Sequence, residues 1–297
     1  MADIVILAAA GMGAVDNTFA KPLFSALETE FGEEWSRLYC AELPGLEHFQ
    51  SNIERTFESM QKRELDFLRA RKYLLLGMSQ TAAQSGTVDR RDSNYEKTQR
   101  EIYAALAKAA DQVDERAPVI LISHSVGCIN LSNYLWDAQR PNVSCGVWRD
   151  GGPAGVHKGS ARERFLRLKT LSHWYTLGPT MPLWCADRPR EQIQAVTSNT
   201  RGYNFRWKNF YHPNDLFGWP LKPLSPSYNQ AVCRDYETCS LSDHGALSSV
   251  AFPSPPEDYW RNPKVVEQLI EDVRSLLKTV NKPAHRHPQP SQQALAV

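Results

Sequence analysis

Apolar runs of strand length alternate with helix-period stretches along most of this chain. The first run, Ile4–Ala8, begins with β-branched residues and ends in the loop Gly11-Met12-Gly13. It has no polar alternation, as expected of a strand covered on both faces. Phe19, Leu23, Leu27 and Phe31 then recur every four residues, with Asp16/Asn17 before them and Gly32 after. That spacing predicts a helix capped at both ends. A short strand is expected at 38–41. Helix is expected over 52–78, including the cluster Tyr73-Leu74-Leu75-Leu76, before a polar, turn-rich stretch at 79–94.

Ile102, Leu106, Ala109 and Val113 put a second amphipathic helix over 97–113. It feeds Val119-Ile120-Leu121-Ile122, another wholly apolar strand bounded by Pro118, and helix pattern then runs from Ser125 to about Ala138. Residues 141–164 are Gly-rich and polar and read as an excursion. Strands are expected at 171–177, 205–211 and 231–237. Asn262-Pro263 open the clearest helix, whose stripe is Val266, Leu269, Ile270, Val273, Leu276, Leu277 and Val280. From Asn281 onward the composition is that of a disordered tail, 281–297. Repeated strand–helix alternation predicts an α/β fold with a mostly parallel central sheet and helices on both faces. No internal repeat or linker divides the chain, so residues 1–280 read as one domain.

Composition narrows the partners. The 297 residues carry a net charge of +1 and are 42% hydrophobic. No overall basic excess is available for nucleic acid or an anionic membrane surface. The apolar start is too short for a secretory signal, and Asp3 replaces its positive region. No run approaches the ~20 residues of an integral membrane segment. A cytoplasmic location is expected. Of the six cysteines none forms a CxxC pair, which predicts reduced thiols and no zinc ribbon. Cys233 and Cys239 are spaced to bridge if they flank a tight turn. No metal cluster or cofactor fingerprint is visible. The loop GMGAVD lacks the third glycine of a dinucleotide fingerprint and the Lys-Ser/Thr of a phosphate loop.

The strongest chemical signal is VILISHSVG, residues 119–127. It sets Ser125 between a buried strand and a helix, with small residues two before and two after it. Such a turn lifts a serine oxygen clear of the sheet while strand and helix approach closely. Ser123 stands where glycine is usual. An ordinary turn with serine as N-cap is the plainer alternative. A serine nucleophile needs a base, and the base needs a carboxylate to hold its tautomer. In this chain order the acid precedes the base. His244, in Ser-Asp-His-Gly after the last strand and before the final helix, is the expected base. Asp215, just past the strand ending at Tyr211, is the favoured acid, with Asp187, Asp235 and Asp243 as rivals. Val126 N–H and a donor from the Ala10–Gly13 loop would serve a developing oxyanion.

Taken together, AAAGMG, SHSVGCINLSNYLWD, LSHWYTLGPTMPLW, WKNFYHPNDLFGWPLKPL and DHGAL with DYW before the last helix resemble the lipase/esterase-like α/β-hydrolases. The resemblance is to a bacterial branch near lipase-like and inositol-deacylase-like proteins, and it spans most of residues 4–280. It implies Ser125 as nucleophile, Asp215 as acid, His244 as base, and Met12 with Val126 as oxyanion donors. It also implies a helical cap over 52–95, whose Leu65, Phe67, Leu68 and Leu74–Leu76 would line an acyl pocket or pack on the sheet. Two departures stand out: Ala10 where relatives often have histidine, and Ser123 for glycine. The implied activity is hydrolysis of a small-molecule carboxylic ester through an acyl-enzyme, without a cofactor. A thioesterase, phospholipase or amidase with the same triad, or a non-catalytic binding protein of this fold, are the alternatives.

Overall fold

The computed structural model describes residues 1–11, 18–43, 47–85, 88–140, 142–197, 203–238 and 257–280. Its strands are β1 (Ile4–Ala9), β2 (Leu38–Glu42), β3 (Val119–His124), β4 (Leu171–Leu177), β5 (Arg206–Tyr211) and β6 (Val232–Glu237). Its helices are α1 (Lys21–Phe31), α2 (Glu47–Met60), α3 (Leu68–Ser85), α4 (Asn94–Ala110), α5 (Val126–Ala138), α6 (Ala161–Leu166), α7 (Pro226–Ala231), α8 (Glu257–Arg261) and α9 (Pro263–Val280).

The strands form one sheet in the order β2-β1-β3-β4-β5-β6, and each neighbouring pair is parallel. The unbroken apolar runs are explained by this burial: every residue of β1, β3 and β4 is buried. Alternate side chains serve two cores. Val5, Leu7, Val119, Leu121, Trp174 and Trp207 pack against α4, α5 and α6 on one face. Ile4, Ile6, Ile120, Ile122, Tyr175 and Phe210 pack against α1, α8 and α9 on the other. Within α9, Val265, Leu269, Val273, Leu276 and Leu277 are buried, each worth about 1.5–3 kcal/mol of transfer free energy. The predicted α/β layers are therefore present, and the sheet is wholly parallel.

Two sequence readings change. The first helix begins at Lys21, with Pro22 in its first turn and no side-chain cap; Asp16 and Asn17 lie outside the described residues. Proline's fixed φ preorganises that first turn. The single helix expected over 52–78 is instead the pair α2 and α3, broken at 61–67, where Phe67 adopts φ 58°. Gln61–Asp66 is polar apart from the half-buried Leu65, so it offers no continuous apolar stripe and the hairpin turn forms there. The tail 281–297 and Cys239 lie outside the described residues. Cys40, Cys128, Cys145, Cys185 and Cys233 are free thiols.

Candidate functional site

The loops after β1 and β3 leave the sheet where its order reverses, since β1 connects outward to β2 on one side and β3 begins the run to β6 on the other. Crevices at the carboxyl ends of strands open at such switch points. Ser125 sits there, between β3 and α5, with φ 51° and ψ −122°. A side chain rarely tolerates that conformation, which costs about 1–3 kcal/mol and persists only where its surroundings over-determine it. Here they do. The Ser125 N–H donates to Leu177 O at the end of β4 at 3.0 Å. On the other flank, a Cβ added to Gly11 would lie 2.8 Å from Ser125 Cβ and 2.5 Å from His124 Nδ1. A Cβ on Gly127 would lie 2.3 Å from Ala10 O. Both glycines are therefore required by close approach of the β1 loop to the serine turn.

Ser123 does more than fit. Its hydroxyl accepts the Trp174 Nε1–H at 2.9 Å, so the residue that departs from the usual glycine satisfies a fully buried indole. Val126 opens α5, putting its backbone N–H at the positive end of a helix beside Ser125. Its side chain packs with Ile53 of α2 and Leu76 of α3, so the α2–α3 hairpin rests on the serine turn. Phe67, Leu68 and Leu74, expected to line a pocket or pack on the sheet, are exposed at 77%, 39% and 38%. They neither pack on the sheet nor line an enclosed pocket, because the break before α3 turns them outward.

Asp215 follows β5, so one strand, β4, separates its loop from the serine turn. Gly178, the residue after β4, donates its N–H to Phe210 O at 2.8 Å, and a Cβ there would lie 2.8 Å from Asp215 Oδ2. Leu177–Gly178 thus touches Ser125 on one side and Asp215 on the other. The carboxylate accepts the Tyr259 hydroxyl at 2.8 Å and the Phe217 N–H at 3.0 Å. Burial pushes its pKa up, and those hydrogen bonds draw it part of the way back. Tyr259 O also accepts the His212 N–H at 3.0 Å, and its ring lies 5.5 Å from that of His124. Tyr259 belonged to the DYW motif noted above, but nothing in its spacing pointed to Asp215.

Of the rival acids, Asp235 has other partners and Asp187 is exposed. Asp235 on β6 accepts from Asn209 Nδ2, Leu221 N and Lys222 N at 2.8–3.0 Å, which ties down the loop after Asp215. Asn209 in turn bonds Thr176 on β4, so the acid loop is braced across three strands. Asp187 is exposed on the segment after β4. Asp243 lies outside the described residues, as do His244 and Met12. Among the other histidines, His124 and His173 are buried and burial pushes each down to about 4. His173 faces Asp272, 3.5 Å away. His157 is exposed. His212 shapes the acid turn: its carbonyl accepts the Asp215 N–H and its Nδ1 accepts the Asn214 N–H.

Among the described residues, no group of three His, Cys, Asp or Glu is placed to hold a metal ion. No described helix is long and apolar enough to cross a membrane.

This is an α/β architecture consistent with the α/β-hydrolase fold, defined by the parallel sheet, its strand order and the serine turn at the switch point. No family model matches the chain, and no curated protein matches it. Among solved structures, it is similar to a sugar hydrolase (YeeB) from Lactococcus lactis, at 14% identity over 93% of this chain and 90% of that one, with a TM-score of 0.39. It is also similar to RedJ with a polyethylene glycol molecule in its active site, at 11% identity over 93% and 90% of the chains, with a TM-score of 0.37.

Proposed function

We propose that this protein is a serine hydrolase that cleaves a carboxylic ester through an acyl-enzyme. Ser125 Oγ attacks the carbonyl carbon as its proton passes to His244; the tetrahedral oxyanion takes hydrogen bonds from the Val126 and Met12 N–H groups. Collapse expels the alcohol, which leaves with the proton from His244. Water then repeats the sequence to release the acid and restore Ser125. Asp215 orients His244. The observation that carries this reading is the left-handed Ser125 at the switch point, with Asp215 one strand away. A purely binding role leaves that strain without a purpose, since glycine would remove it.

Both ends of the segment that carries His244 are tied to the acid turn. Thr238 donates its N–H to Tyr211 O at 2.8 Å, and Tyr259 bonds Asp215. That arrangement supports His244 as base without fixing its position.

The test is reaction with a fluorophosphonate, which labels only an activated serine. Wild type labels at Ser125, and Ser125→Ala does not. Asp215→Asn folds but loses on the order of ten-thousandfold in kcat, as when an amide holds a triad histidine in the wrong tautomer. Equal labelling of Ser125→Ala, or full activity in Asp215→Asn, overturns the assignment.

A further inference from the structure

Among the described residues, the exposed large apolar side chains other than Met1 lie on a few neighbouring segments. Met60, Phe67 and Leu68 lie at the tip of the α2–α3 hairpin, Leu183 follows β4, and Leu216 and Trp219 flank the acid turn. The hairpin follows β2 and packs on Val126, and the other three groups follow β4 and β5, so all lie on segments at the carboxyl edge of the parallel sheet, the edge that carries Ser125. Among the described residues, and Met1 apart, the remaining exposed large hydrophobics are Leu74 and Met78 on α3 of the same hairpin. Monomeric proteins seldom concentrate apolar surface in this way unless something covers it.

The charge at the tip says what fits. Residues 60–72 contain five cations, Lys62, Arg63, Arg69, Arg71 and Lys72, against Glu64 and Asp66. This local excess of three positive charges exceeds the +1 of the whole chain. The near-balanced total had pointed away from an anionic membrane surface; the exception is local and sits beside the exposed apolar groups. Lys62 and Arg63 are exposed, and Lys72 Nζ lies over the Phe57 ring at 5.8 Å. Apolar side chains rimmed by cations are the combination that seats a surface in the headgroup and acyl boundary of an anionic bilayer. Trp219 supplies the amphipathic ring favoured at that depth.

We propose that the α2–α3 tip and the Leu216–Trp219 loop dock this protein on an anionic phospholipid bilayer, presenting Ser125 to acyl chains held there. Only that last clause rests on the hydrolase reading. The docking rests on the apolar rim and its cations.

The experiment is cosedimentation of the full chain with vesicles of phosphatidylcholine containing about one quarter phosphatidylglycerol, and with phosphatidylcholine alone. Wild type and Ser125→Ala are expected to sediment with the anionic vesicles, less with neutral ones, and less at raised salt. Lys62→Glu/Arg63→Glu and Phe67→Ser are each expected to weaken binding about tenfold or more. Lys62→Glu/Arg63→Glu keeps wild-type hydrolysis of a soluble short-chain ester. Absence of binding to anionic vesicles, or undiminished binding by the charge-reversed variant, overturns the docking surface. So does a concentration-dependent dimer abolished by Phe67→Ser, which would assign the face to a second copy. Vesicle binding without phosphonate labelling would refute the hydrolase and leave the docking intact; labelling without vesicle binding would do the reverse.

Discussion

Alanine at Gly127 adds one methyl at the tightest contact of the candidate site. Its Cβ would lie 2.3 Å from Ala10 O and 3.0 Å from Ala9 O. Both are backbone atoms, so no side chain can rotate out of the way. Ordinary carbon–oxygen contacts begin near 3.3 Å, so the end of β1 and the start of α5 must separate by roughly 1 Å. Overpacking of this kind costs about 1–3 kcal/mol, and alanine's better helix propensity returns up to about 1 kcal/mol. The net is a loss of about 0–3 kcal/mol, a fall in melting temperature of no more than about 12 °C for a chain of this size. Activity should suffer more. The displaced strand end leads through Gly11 to Met12, and a shift of about 1 Å in positioned groups costs about a hundredfold. Thermal melting, the rate of phosphonate labelling and kcat/KM on a soluble ester measure the two effects separately. A Gly127→Ala protein that melts and labels like wild type, within about threefold, would refute the steric reasoning.

Three further outcomes are expected. Ser125→Gly should label no better than Ser125→Ala yet melt higher than it, because glycine accepts φ 51° without the strain of about 1–3 kcal/mol; a lower melting point than Ser125→Ala would count against strain at the turn. Tyr259→Phe removes a donor to the Asp215 carboxylate, so the carboxyl pKa, already raised by burial, rises further and the acidic limb of kcat/KM moves to higher pH; an unmoved limb would mean that Tyr259 only packs. His124 and His173 are pushed down by burial from 6.5 to about 4, so the stability they contribute is full above about 6.5 and lost as pH falls toward 4; melting temperature should drop across that window, less steeply in His173→Gln, and a flat wild-type profile would refute the buried, neutral histidines.

What the sequence by itself determined is what acts over a few residues. The run at 171–177 is β4 to the residue, Asn262-Pro263 opens α9, and VILISHSVG is a strand, a left-handed serine and a helix. Hydrophobic periodicity and turn chemistry are local, so they survive in a one-dimensional reading. The candidate order Ser125, Asp215, His244 is likewise a reading of chain order alone, and His244 and Met12 fall outside the described residues.

The tertiary structure decided which residues meet across the sheet. Ser123 accepts from Trp174, 51 positions on, and Tyr259 reaches back 44 positions to Asp215. Asp235 and Asp215 look alike in sequence as carboxylates near strand ends, yet one braces a loop and the other bonds Tyr259 beside Gly178 at the end of β4. The apolar side chains of the α2–α3 hairpin read as core or pocket lining; the structure buries Leu76 against Val126 but leaves Phe67, Leu68 and Leu74 exposed around the break at 61–67. Each of these depends on strand order and on the path of the chain between elements, which long-range packing fixes and local pattern does not encode.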